Sequence, residues 1–430
     1  MIEQKIEQHT ATIAILGLGY VGLPMCVEFC RKGFRVAGID SDAGRVQNLR
    51  ECRSYILDLS DNDLRSIQGN FTAGTDFSVL KEADAIIICV PTPLRKTKDP
   101  DLSYILSASA EIARYVKRGQ LIILESTTYP GTTDEVILPE LEKAGLRVGE
   151  DFYLAFSPER VDPGNREFHL RNTPKIVGGI TPRCGELAEK LYRSVVERVV
   201  RVSSTRAAEM VKLLENTFRA INIGMVNEMA IMCDRLGIDT WEVIQAAATK
   251  PFGFMPFYPG PGLGGHCIPI DPHYLSWKLK TLNYSARFIE LAEDINSSMP
   301  AYVVGKIADA LNEERLAIRG SRILLLGVAY KRNSNDLRES PALDICTQLQ
   351  KKGAEVLFHD PYITEMKIET GALRRSDLSI PLLESAACVV VVTDHSSYDW
   401  QFIVDHASLV VDTRNATAGT RPKSCRIVKL

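Results

Sequence analysis

The residues with the clearest potential for chemistry lie in the stretch Pro259–Tyr274, which reads PGPGLGGHCIPIDPHY. Glycine permits positive φ and proline holds φ at about −65°, so this density of both residues predicts an irregular loop rather than a helix or strand. A loop of this kind lets backbone approach a ligand and aims one side chain, and we expect Cys267 to be that side chain. The alternative is a surface turn that happens to contain a cysteine.

Other side chains with suitable chemistry occur elsewhere in the chain. A thiolate can capture an aldehyde covalently, and the alkoxide that develops during such a reaction needs hydrogen-bond donors. Lys212 and Asn216 are four residues apart in a helical apolar pattern, which places both on one helix face. A solvated helix face is the alternative for this pair. Asp271, four residues beyond Cys267, and Glu159 could orient or activate water.

A glycine pattern near the start of the sequence predicts a dinucleotide site. A short apolar run, Thr12–Leu16, leads into GLGYVGLP, where Gly17, Gly19 and Gly22 form G-x-G-x-x-G before an apolar helix. Such glycines permit a tight turn, close approach of backbone to a pyrophosphate, and close packing of helix on strand. Asp40 ends the next predicted strand, where a carboxylate holds the ribose hydroxyls of NAD. A glycine-rich turn of a fold that binds nothing is the alternative.

Loops after neighbouring strands are expected to contact the same cofactor. The apolar runs Ala85–Val90 and Leu121–Leu124 predict buried strands, and ligands bind at the carboxyl ends of strands in an open parallel sheet. The alternative for these loops is that their prolines and threonines are ordinary turn residues without a ligand. Arg45, near Asp40, keeps NADP as an alternative cofactor. The predicted NAD contacts are Gly17, Gly19, Tyr20, Val21, Gly22, Asp40, Arg45, Pro91, Thr92 and Thr127.

The order of the patterns predicts an α/β protein with two Rossmann-like, doubly wound parallel-sheet domains joined by a central helical domain. We expect the NAD domain in residues 1–204, a helical and dimerisation domain in 205–318, and a second nucleotide-binding domain in 319–430. Within the middle, Ser285–Arg315 is a long amphipathic stretch interrupted by Met299-Pro300. It predicts one kinked connecting helix or two abutting helices.

The third domain repeats the α/β pattern without the full glycine motif. It has Lys331, Arg338 and Arg414 at the ends of predicted strands or just beyond them. Such groups suit a second phosphate-bearing ligand that is not NAD.

Composition excludes several other classes of function. The net charge of −3 gives no bulk electrostatic basis for binding nucleic acid or an anionic membrane. The apolar runs are too short to span a membrane, and the first ten residues carry no secretory signal. The ten cysteines form no CxxC pair and no metal-ligand spacing, so we expect reduced thiols, no metal site and a cytoplasmic location.

Several short motifs occur in one order along the chain. They are GLGYVGLP, VPTP at Val90–Pro93, EST at Glu125–Thr127, SPER at Ser157–Arg160, KLLEN at Lys212–Asn216, GGHCIPID at Gly264–Asp271, GVAYK at Gly327–Lys331 and NDLRESP at Asn335–Pro341. Together they resemble the UDP-glucose/GDP-mannose 6-dehydrogenase family over essentially the whole length. The resemblance implies NAD-dependent oxidation of a UDP-sugar at C6 to the uronic acid, for surface polysaccharide or nucleotide-sugar biosynthesis.

The resemblance also implies roles for individual residues and a homodimer with the middle helices at its interface. Cys267 is the implied nucleophile of the second oxidation, Lys212, Asn216 and Asp271 serve the oxyanion and acid–base work, and Thr127 and Glu159 hold the catalytic water or act as base. The substrate contacts expected on this basis are Glu159, Arg160, Lys212, Asn216, Gly264, Gly265, Lys331, Arg338 and Arg414.

Two departures from the family pattern bear on the substrate. Enzymes for UDP-glucose typically have Pro-Lys-Asp after the cysteine, whereas this chain has Ile270 in the middle position, and Lys250–Gly253 replaces an arginine that reaches across the dimer. These differences, with His266 and the run SPERVDPGN at Ser157–Asn165, are similar to the branch that acts on UDP-N-acetylhexosamines. Within it, SPERVDPGN and ATKPFGF at Ala248–Phe254 look most like UDP-N-acetylglucosamine 6-dehydrogenases, with UDP-glucose and UDP-N-acetylmannosamine as alternatives.

Two rival interpretations come from other classes of function. A β-hydroxyacid dehydrogenase would share the glycine start but stop after one oxidation, and it needs neither the cysteine nor the second α/β domain. A non-catalytic nucleotide-sugar-binding protein would keep the fold without the chemistry.

Overall fold

The structure is a computed structural model that describes residues 2–56, 58–95, 99–161 and 167–430. Its first sheet is built from β1 (Thr12–Leu16), β2 (Arg35–Ile39), β3 (Phe71–Gly74), β4 (Ala85–Ile88), β5 (Leu121–Leu124), β6 (Tyr153–Phe156), β7 (Lys175–Gly179) and β8 (Val199–Val202). The strand order is β3-β2-β1-β4-β5-β6-β7-β8, and every pair is parallel except β6 with β7. The helices of this part are α1 (Ile2–Glu7), α2 (Gly22–Arg31), α3 (Ala43–Arg50), α4 (Asp61–Ile67), α5 (Ser103–Tyr115), α6 (Leu138–Glu142) and α7 (Pro182–Arg193).

The first sheet has helices on both faces because its strands are apolar on both sides. Ile13 and Ile15 of β1 pack into one core with Leu23 of α2, while Leu16 packs into the other core with Ile105 of α5. Strands buried on both faces read as continuous apolar runs, as the sequences AIII of β4 and LIIL of β5 do.

The middle of the chain is helical, as predicted. It contains α8 (Thr205–Leu236), α9 (Thr240–Ala247), α10 (Asp271–Lys280) and α11 (Arg287–Glu313). Asp239 caps α9 by accepting hydrogen bonds from two backbone N–H groups of its first turn. Of the two interpretations of the long amphipathic stretch, one continuous helix is correct, with Pro300 inside α11.

One local prediction is wrong at its end. The irregular stretch was expected to continue to Tyr274, but α10 already begins at Asp271. Pro272 does not prevent this start, because proline is accepted in the first turn of a helix, where its missing N–H would have no partner.

The second sheet contains β9 (Arg322–Leu326), β10 (Glu355–His359), β13 (Cys388–Val391), β14 (Leu409–Asp412) and β15 (Arg426–Lys429), and β11 (Glu365–Ile368) with β12 (Gly371–Arg374) forms a separate hairpin. The strands of the sheet follow the order β10-β9-β13-β14-β15, all parallel. The helices here are α12 (Pro341–Lys351), α13 (Ile380–Ser385) and α14 (Trp400–His406). The predicted fold class is therefore confirmed.

The described chain divides into two compact units, residues 1–215 with 273–284 and residues 216–272 with 285–430. Two of the three boundaries fall inside α8 and α10, and the third falls between α10 and α11. The three-domain division at 204 and 318 stays a prediction. In the described part of the chain, no helix is long and apolar enough to cross a membrane.

Candidate active site

The glycine turn after β1 is shaped partly by the protein itself. Gly17 has φ of 91°, and a Cβ there would lie 2.5 Å from the carbonyl oxygen of Cys89. A Cβ on Gly22 would collide with the carbonyl oxygen of Gly17, so helix and turn can pack only through glycine. Around Gly19, by contrast, the described residues leave open space within 4 Å of a Cβ. This open space leaves room for a ligand beside the turn.

The first turn of α2 fits the pyrophosphate of NAD. The residue before the helix is Val21, whose side chain cannot cap the free backbone N–H groups of the first turn. Such N–H groups, together with the positive end of the helix dipole, bind anions. Tyr20 is about half exposed beside them.

Asp40 is buried and helps to hold the glycine turn. Its Oδ2 accepts a hydrogen bond from the backbone N–H of Leu18 at 2.9 Å, and its Oδ1 accepts one from the N–H of Asp42 at 2.9 Å. Arg45 reaches the same carboxylate at 3.5 Å and also pairs with Asp42. Arg45 is thereby neutralised by two carboxylates rather than presented to a 2′-phosphate, which fits NAD better than NADP.

The loops after β4 and β5 lie in the same unit. The Thr92 carbonyl accepts a hydrogen bond from the hydroxyl of Tyr274, a fully buried side chain of α10. The Ser126 hydroxyl donates to the Val90 carbonyl at 2.6 Å, which ties the two loops together. Thr127 follows as a half-buried residue.

The loop after β6 holds the Glu159 carboxylate tightly. Its Oε1 accepts hydrogen bonds from the backbone N–H groups of Arg160 at 2.7 Å and Val161 at 2.6 Å. Lys212 of α8 donates from Nζ to the Glu159 carbonyl oxygen at 2.6 Å. Arg160 pairs with Glu215 of α8 at 2.6 Å. Five residues of this loop, 162–166, lie outside the described residues, and they include Asp162–Asn165 of the run used for the substrate prediction.

Sequence reasoning missed a buried charge cluster behind Glu159. The ammonium of Lys175 donates to Glu125 and to Glu159, and the hydroxyl of Tyr192 donates to Glu125 at 2.7 Å. The one available signal was an isolated lysine at the start of the apolar run KIVGG, and nothing in that run indicates a partner.

In the other unit, Cys267 is exposed on a turn that leads directly into α10. Its carbonyl oxygen accepts hydrogen bonds from the N–H groups of Ile270 at 3.1 Å and Asp271 at 2.8 Å. Asp271, the first residue of α10, accepts a hydrogen bond from the side-chain amide of Asn216. Both of these polar residues are buried, so the acid at the end of the cysteine turn is held in one orientation.

The two glycines before the cysteine pack against Tyr330. A Cβ on Gly264 would lie 2.7 Å from the Tyr330 Cβ, and one on Gly265, where φ is 88°, would lie 2.6 Å from the Tyr330 ring. The N–H of Gly265 donates to the Arg338 carbonyl at 2.9 Å. The fold therefore requires glycine here for close packing on the turn after β9. The predicted role of Gly264 and Gly265 in substrate binding stays a prediction.

The basic residues predicted for the second ligand lie in the same unit as this turn. The ammonium of Lys331 lies 5.8 Å from the centre of the Tyr330 ring. Arg338 forms a two-pronged pair with Asp336. Arg414 donates to the Val392 carbonyl at 3.0 Å and lies beside Gly260, where a Cβ would approach its guanidinium to 2.5 Å.

A chain of buried amides fixes the start of the cysteine loop. Asn227 of α8 accepts a hydrogen bond from the Gly260 N–H at 2.9 Å and donates to Asn296 of α11 at 2.9 Å. Asn296 in turn donates to the Ala220 carbonyl at 3.1 Å. Because buried amides need all of these partners, the loop has one anchored origin.

These arrangements separate the predicted site residues into two groups. One unit contains the glycine turn with Asp40, Thr92, Thr127, Glu159 and Lys212, and the other contains Asn216, Cys267 and Asp271 with the residues around Tyr330. Within the described residues, no group of three or more His, Cys, Asp or Glu side chains could hold a metal ion.

Three family models match the chain in order. They are the UDP-glucose/GDP-mannose dehydrogenase family NAD-binding domain over residues 11–196, its central domain over 206–298 and its UDP-binding domain over 324–419.

Individual relatives match most of the chain. A UDP-N-acetyl-D-glucosamine 6-dehydrogenase of Pseudomonas aeruginosa is 40% identical over 82% of this chain and 83% of its own length. A UDP-N-acetyl-D-glucosamine 6-dehydrogenase of Salmonella typhi is 35% identical over 90% of this chain and 90% of its own length. The solved structure of a UDP-D-ManNAc dehydrogenase from Pyrococcus horikoshii superposes with a TM-score of 0.89 at 36% identity, covering 97% of this chain and 98% of that one. The chain therefore belongs to the UDP-glucose/GDP-mannose dehydrogenase family of NAD-dependent oxidoreductases.

Proposed function

We propose that the protein oxidises the C6 hydroxyl of UDP-N-acetylglucosamine to the carboxylate, with two NAD reduced for each sugar. The observation that carries this proposal is the Cys267 turn, in which an exposed thiol precedes a buried acid that Asn216 holds in place. An enzyme that stopped at the aldehyde would need no such nucleophile.

The reaction divides into three steps with balanced atoms and electrons. A hydride leaves C6 of the alcohol as the hydroxyl loses its proton, which gives an aldehyde. The Cys267 thiolate adds to that aldehyde, and loss of a second hydride from the thiohemiacetal gives a thioester. Water then attacks the thioester, which releases the carboxylate and returns the thiol. The nicotinamide cofactor accepts both hydrides when it is bound.

The side chains of this chain supply the charge and proton work. Lys212 and Asn216 stabilise the alkoxide that develops in the two oxidations. Asp271, Glu159 and Thr127 hold or deprotonate the attacking water. Lys331, Arg338 and Arg414 supply cationic groups for the diphosphate of the sugar nucleotide.

The choice of the N-acetylglucosamine nucleotide rests on sequence features and on relatives. Ile270 and Lys250–Gly253 depart from the pattern of UDP-glucose enzymes. The relative with 40% identity is named for UDP-N-acetyl-D-glucosamine, and this supports the same sugar here. UDP-N-acetylmannosamine is the main alternative, because relatives of 35–36% identity are named for it. UDP-glucose is the further alternative.

An NADH absorbance assay tests the proposal. The protein is mixed with NAD and, separately, UDP-glucose, UDP-N-acetylglucosamine, UDP-N-acetylgalactosamine, UDP-N-acetylmannosamine and GDP-mannose. We expect the highest kcat/KM with UDP-N-acetylglucosamine and two NADH per sugar consumed. One NADH per sugar would favour a single-oxidation dehydrogenase, and no NADH with any sugar would favour a non-catalytic binding protein.

We also propose that the protein acts as a homodimer in the cytoplasm. Along α8, the apolar side chains Phe218, Met225, Met229 and Met232 are 39–49% exposed and are spaced by seven, four and three residues. This spacing places them along one helix face. A second copy of the chain is the occupant implied by the family resemblance, which assigns the middle helices to the dimer interface.

A further inference from the structure

Lys175 is a buried ammonium between two carboxylates. Its side chain is 3% exposed, and it donates to Glu125, whose side chain is fully buried, and to Glu159 Oε2 at 3.0 Å. A buried charge needs partners of opposite sign, because desolvation penalises an unpaired charge. The position of Lys175 is itself determined by β7, since it is the first residue of that strand.

The rest of the cluster holds Lys175 rather than Glu159. Glu125 follows β5 and accepts a hydrogen bond from the Tyr192 hydroxyl of α7 at 2.7 Å, while the ammonium of Lys175 also lies 5.2 Å from the centre of the Tyr192 ring. Glu125 therefore has one oxygen for Tyr192 and one for Lys175. Among the described residues, this leaves Lys175 as the ammonium in contact with the Glu159 carboxylate.

The Glu159 carboxylate has nearly all of its acceptor positions in use. Oε1 accepts the two backbone N–H groups of Arg160 and Val161, and Oε2 accepts Lys175. An ionised carboxylate offers about four lone-pair positions, so three hydrogen bonds leave room for one further donor such as a water molecule. A carboxylate held in this way points its remaining lone pair in one direction.

Other titratable groups near Glu159 come from several elements. Lys212 of α8 donates to the Glu159 carbonyl and Arg160 adjoins it, while the thiol of Cys89 after β4 lies near the carboxylate in its neutral form, because burial raises the pKa of that thiol. Burial raises the pKa of Glu159, against the hydrogen bonds and cations that lower it. Burial also lowers the pKa of Lys175 to about 7. Without the ammonium, the carboxylate would thus be driven toward its neutral form.

We propose that Lys175 is a positioning residue that keeps the Glu159 carboxylate ionised and oriented to accept a proton from water. The proposal rests on the proposed function, in which Glu159 serves water attack on the thioester. Glu125 and Tyr192 hold the ammonium in place. Removing the Lys175 ammonium should therefore raise the pKa of Glu159, whereas removing the Glu125 carboxylate should lower it.

Two variants give opposite shifts in the pH profile. In Lys175→Met the cation is lost, so the pKa of Glu159 rises and the acid limb of kcat/KM moves to higher pH by about one unit or more. In Glu125→Gln the carboxylate that competes for the Lys175 ammonium is lost. The ammonium then pairs with Glu159 alone, so the pKa of Glu159 falls and the acid limb moves to lower pH. The profile is measured with the C6 aldehyde of the substrate, which isolates the second oxidation and hydrolysis.

Controls separate this role from a merely structural one. Lys175→Arg keeps the charge and should retain the wild-type acid limb even if kcat falls. Lys190→Met removes a partly exposed lysine of α7 that pairs with Glu3 and Glu7, and it should leave the acid limb unchanged. If Lys175→Met does not fold because Glu125 is left unpaired, the Lys175→Met/Glu125→Gln double variant removes both charges. Its acid limb should then lie at higher pH than that of Glu125→Gln alone, because the two proteins differ only in the cation.

Glu159→Gln distinguishes the failure of each idea. If this variant turns over the aldehyde at the wild-type rate, the proposed role of Glu159 in water attack is wrong. If it is impaired while the Lys175 and Glu125 variants keep the wild-type pH profile, or shift it in the same direction, the positioning role of Lys175 is wrong.

Discussion

At the scale of single residues, exposure separates Cys267 from the other thiols. All ten cysteines lie in the described part of the chain, and Cys267 is the one among them that is exposed. Burial raises the pKa of several others, for example Cys30 and Cys346 to about 12, which keeps them as unreactive thiols. A nucleophile needs both access and a thiolate, so the buried cysteines are poor candidates.

Replacing Cys267 tests the thioester scheme. We expect Cys267→Ser to bind the sugar nucleotide and NAD as the wild type does but to form no detectable uronic acid, because a serine hydroxyl of ordinary pKa is a poor nucleophile. Mass spectrometry of the product after prolonged incubation measures this. Cys425→Ala, at a buried cysteine in the same unit, is the matched control and should form product at the wild-type rate. Full turnover by Cys267→Ser would rule out the covalent route.

Sequence reasoning at this scale found residues in recognisable motifs and missed those that act through contacts. Cys267 and Asp271 stand out by type and spacing. Lys175 does not, because its partners Glu125 and Tyr192 are 50 and 17 residues away in the chain and meet it only after the sheet has formed. The pairing of a buried lysine is a tertiary property.

At the scale of elements, the turn after the first strand is held by the same kind of hydrogen bond in both sheets. Gly17 donates its N–H to the Ile39 carbonyl at 2.8 Å, and Gly327 donates to the His359 carbonyl at 2.9 Å. In each case an acid follows the second strand and binds backbone N–H groups of the turn, Asp40 in the first sheet and Asp360 in the second. The local structure of the two turns is therefore equivalent, although only the first has the full glycine motif.

The environment of the two acids differs in a way that bears on NAD binding. Asp360 is fully buried and also contacts the fully buried His395 at 3.0 Å. Burial opposes ionisation of Asp360, but the His395 contact and backbone N–H groups lower its pKa overall. Asp40 remains 7% exposed, and the side chain that pairs with it is Arg45, which is itself about half exposed. The first acid therefore keeps a small exposed fraction that the second acid lacks.

The cysteine loop gives a prediction that belongs to this scale. Gly265→Ala introduces a Cβ at positive φ and against the Tyr330 ring, so we expect a loss of about 2–4 kcal/mol in the free energy of unfolding. Gly253→Ala is the matched control: it has positive φ of 68° but open space around the Cβ, so about 1–2 kcal/mol is expected. Thermal unfolding followed by circular dichroism compares the two. Equal losses would show that contact with Tyr330 does not restrict the loop.

At the scale of the whole molecule, the exposed apolar face of α8 leads us to predict which substitutions should dissociate the proposed homodimer. Glutamates at Met225 and Met229 should dissociate the proposed homodimer, because they place charges where an apolar interface would bury them. Light scattering after size exclusion should then report about 47.7 kDa for the Met225→Glu/Met229→Glu variant, against twice that for the wild type. Leu316→Glu, at an exposed leucine beyond α11, is the control and should remain dimeric. A monomeric wild type would contradict the assembly itself.

Much of the architecture could be predicted because local patterns and tertiary burial agree. β1 and β5 have the predicted bounds, since each is a short, largely apolar run that the sheet buries on both faces. The strands β3 and β15 were not predicted. Both are partly buried strands at the edge of a sheet, so their sequences lack a continuous apolar run. The antiparallel pairing of β7 likewise depends on chain direction, which no local pattern encodes.

The sequence by itself determined the class of protein: a glycine turn followed by an acid, a helical middle, a second α/β region, and a cysteine in a loop of glycines and prolines. These features depend on residue type and short-range spacing, which are visible in a linear chain. Only the tertiary structure decided why Gly264 and Gly265 are glycines, which carboxylates share Lys175, and how deeply Asp40 and Asp360 are buried. Each of these depends on groups that are distant in sequence and adjacent only in the fold, where burial sets how strongly they interact.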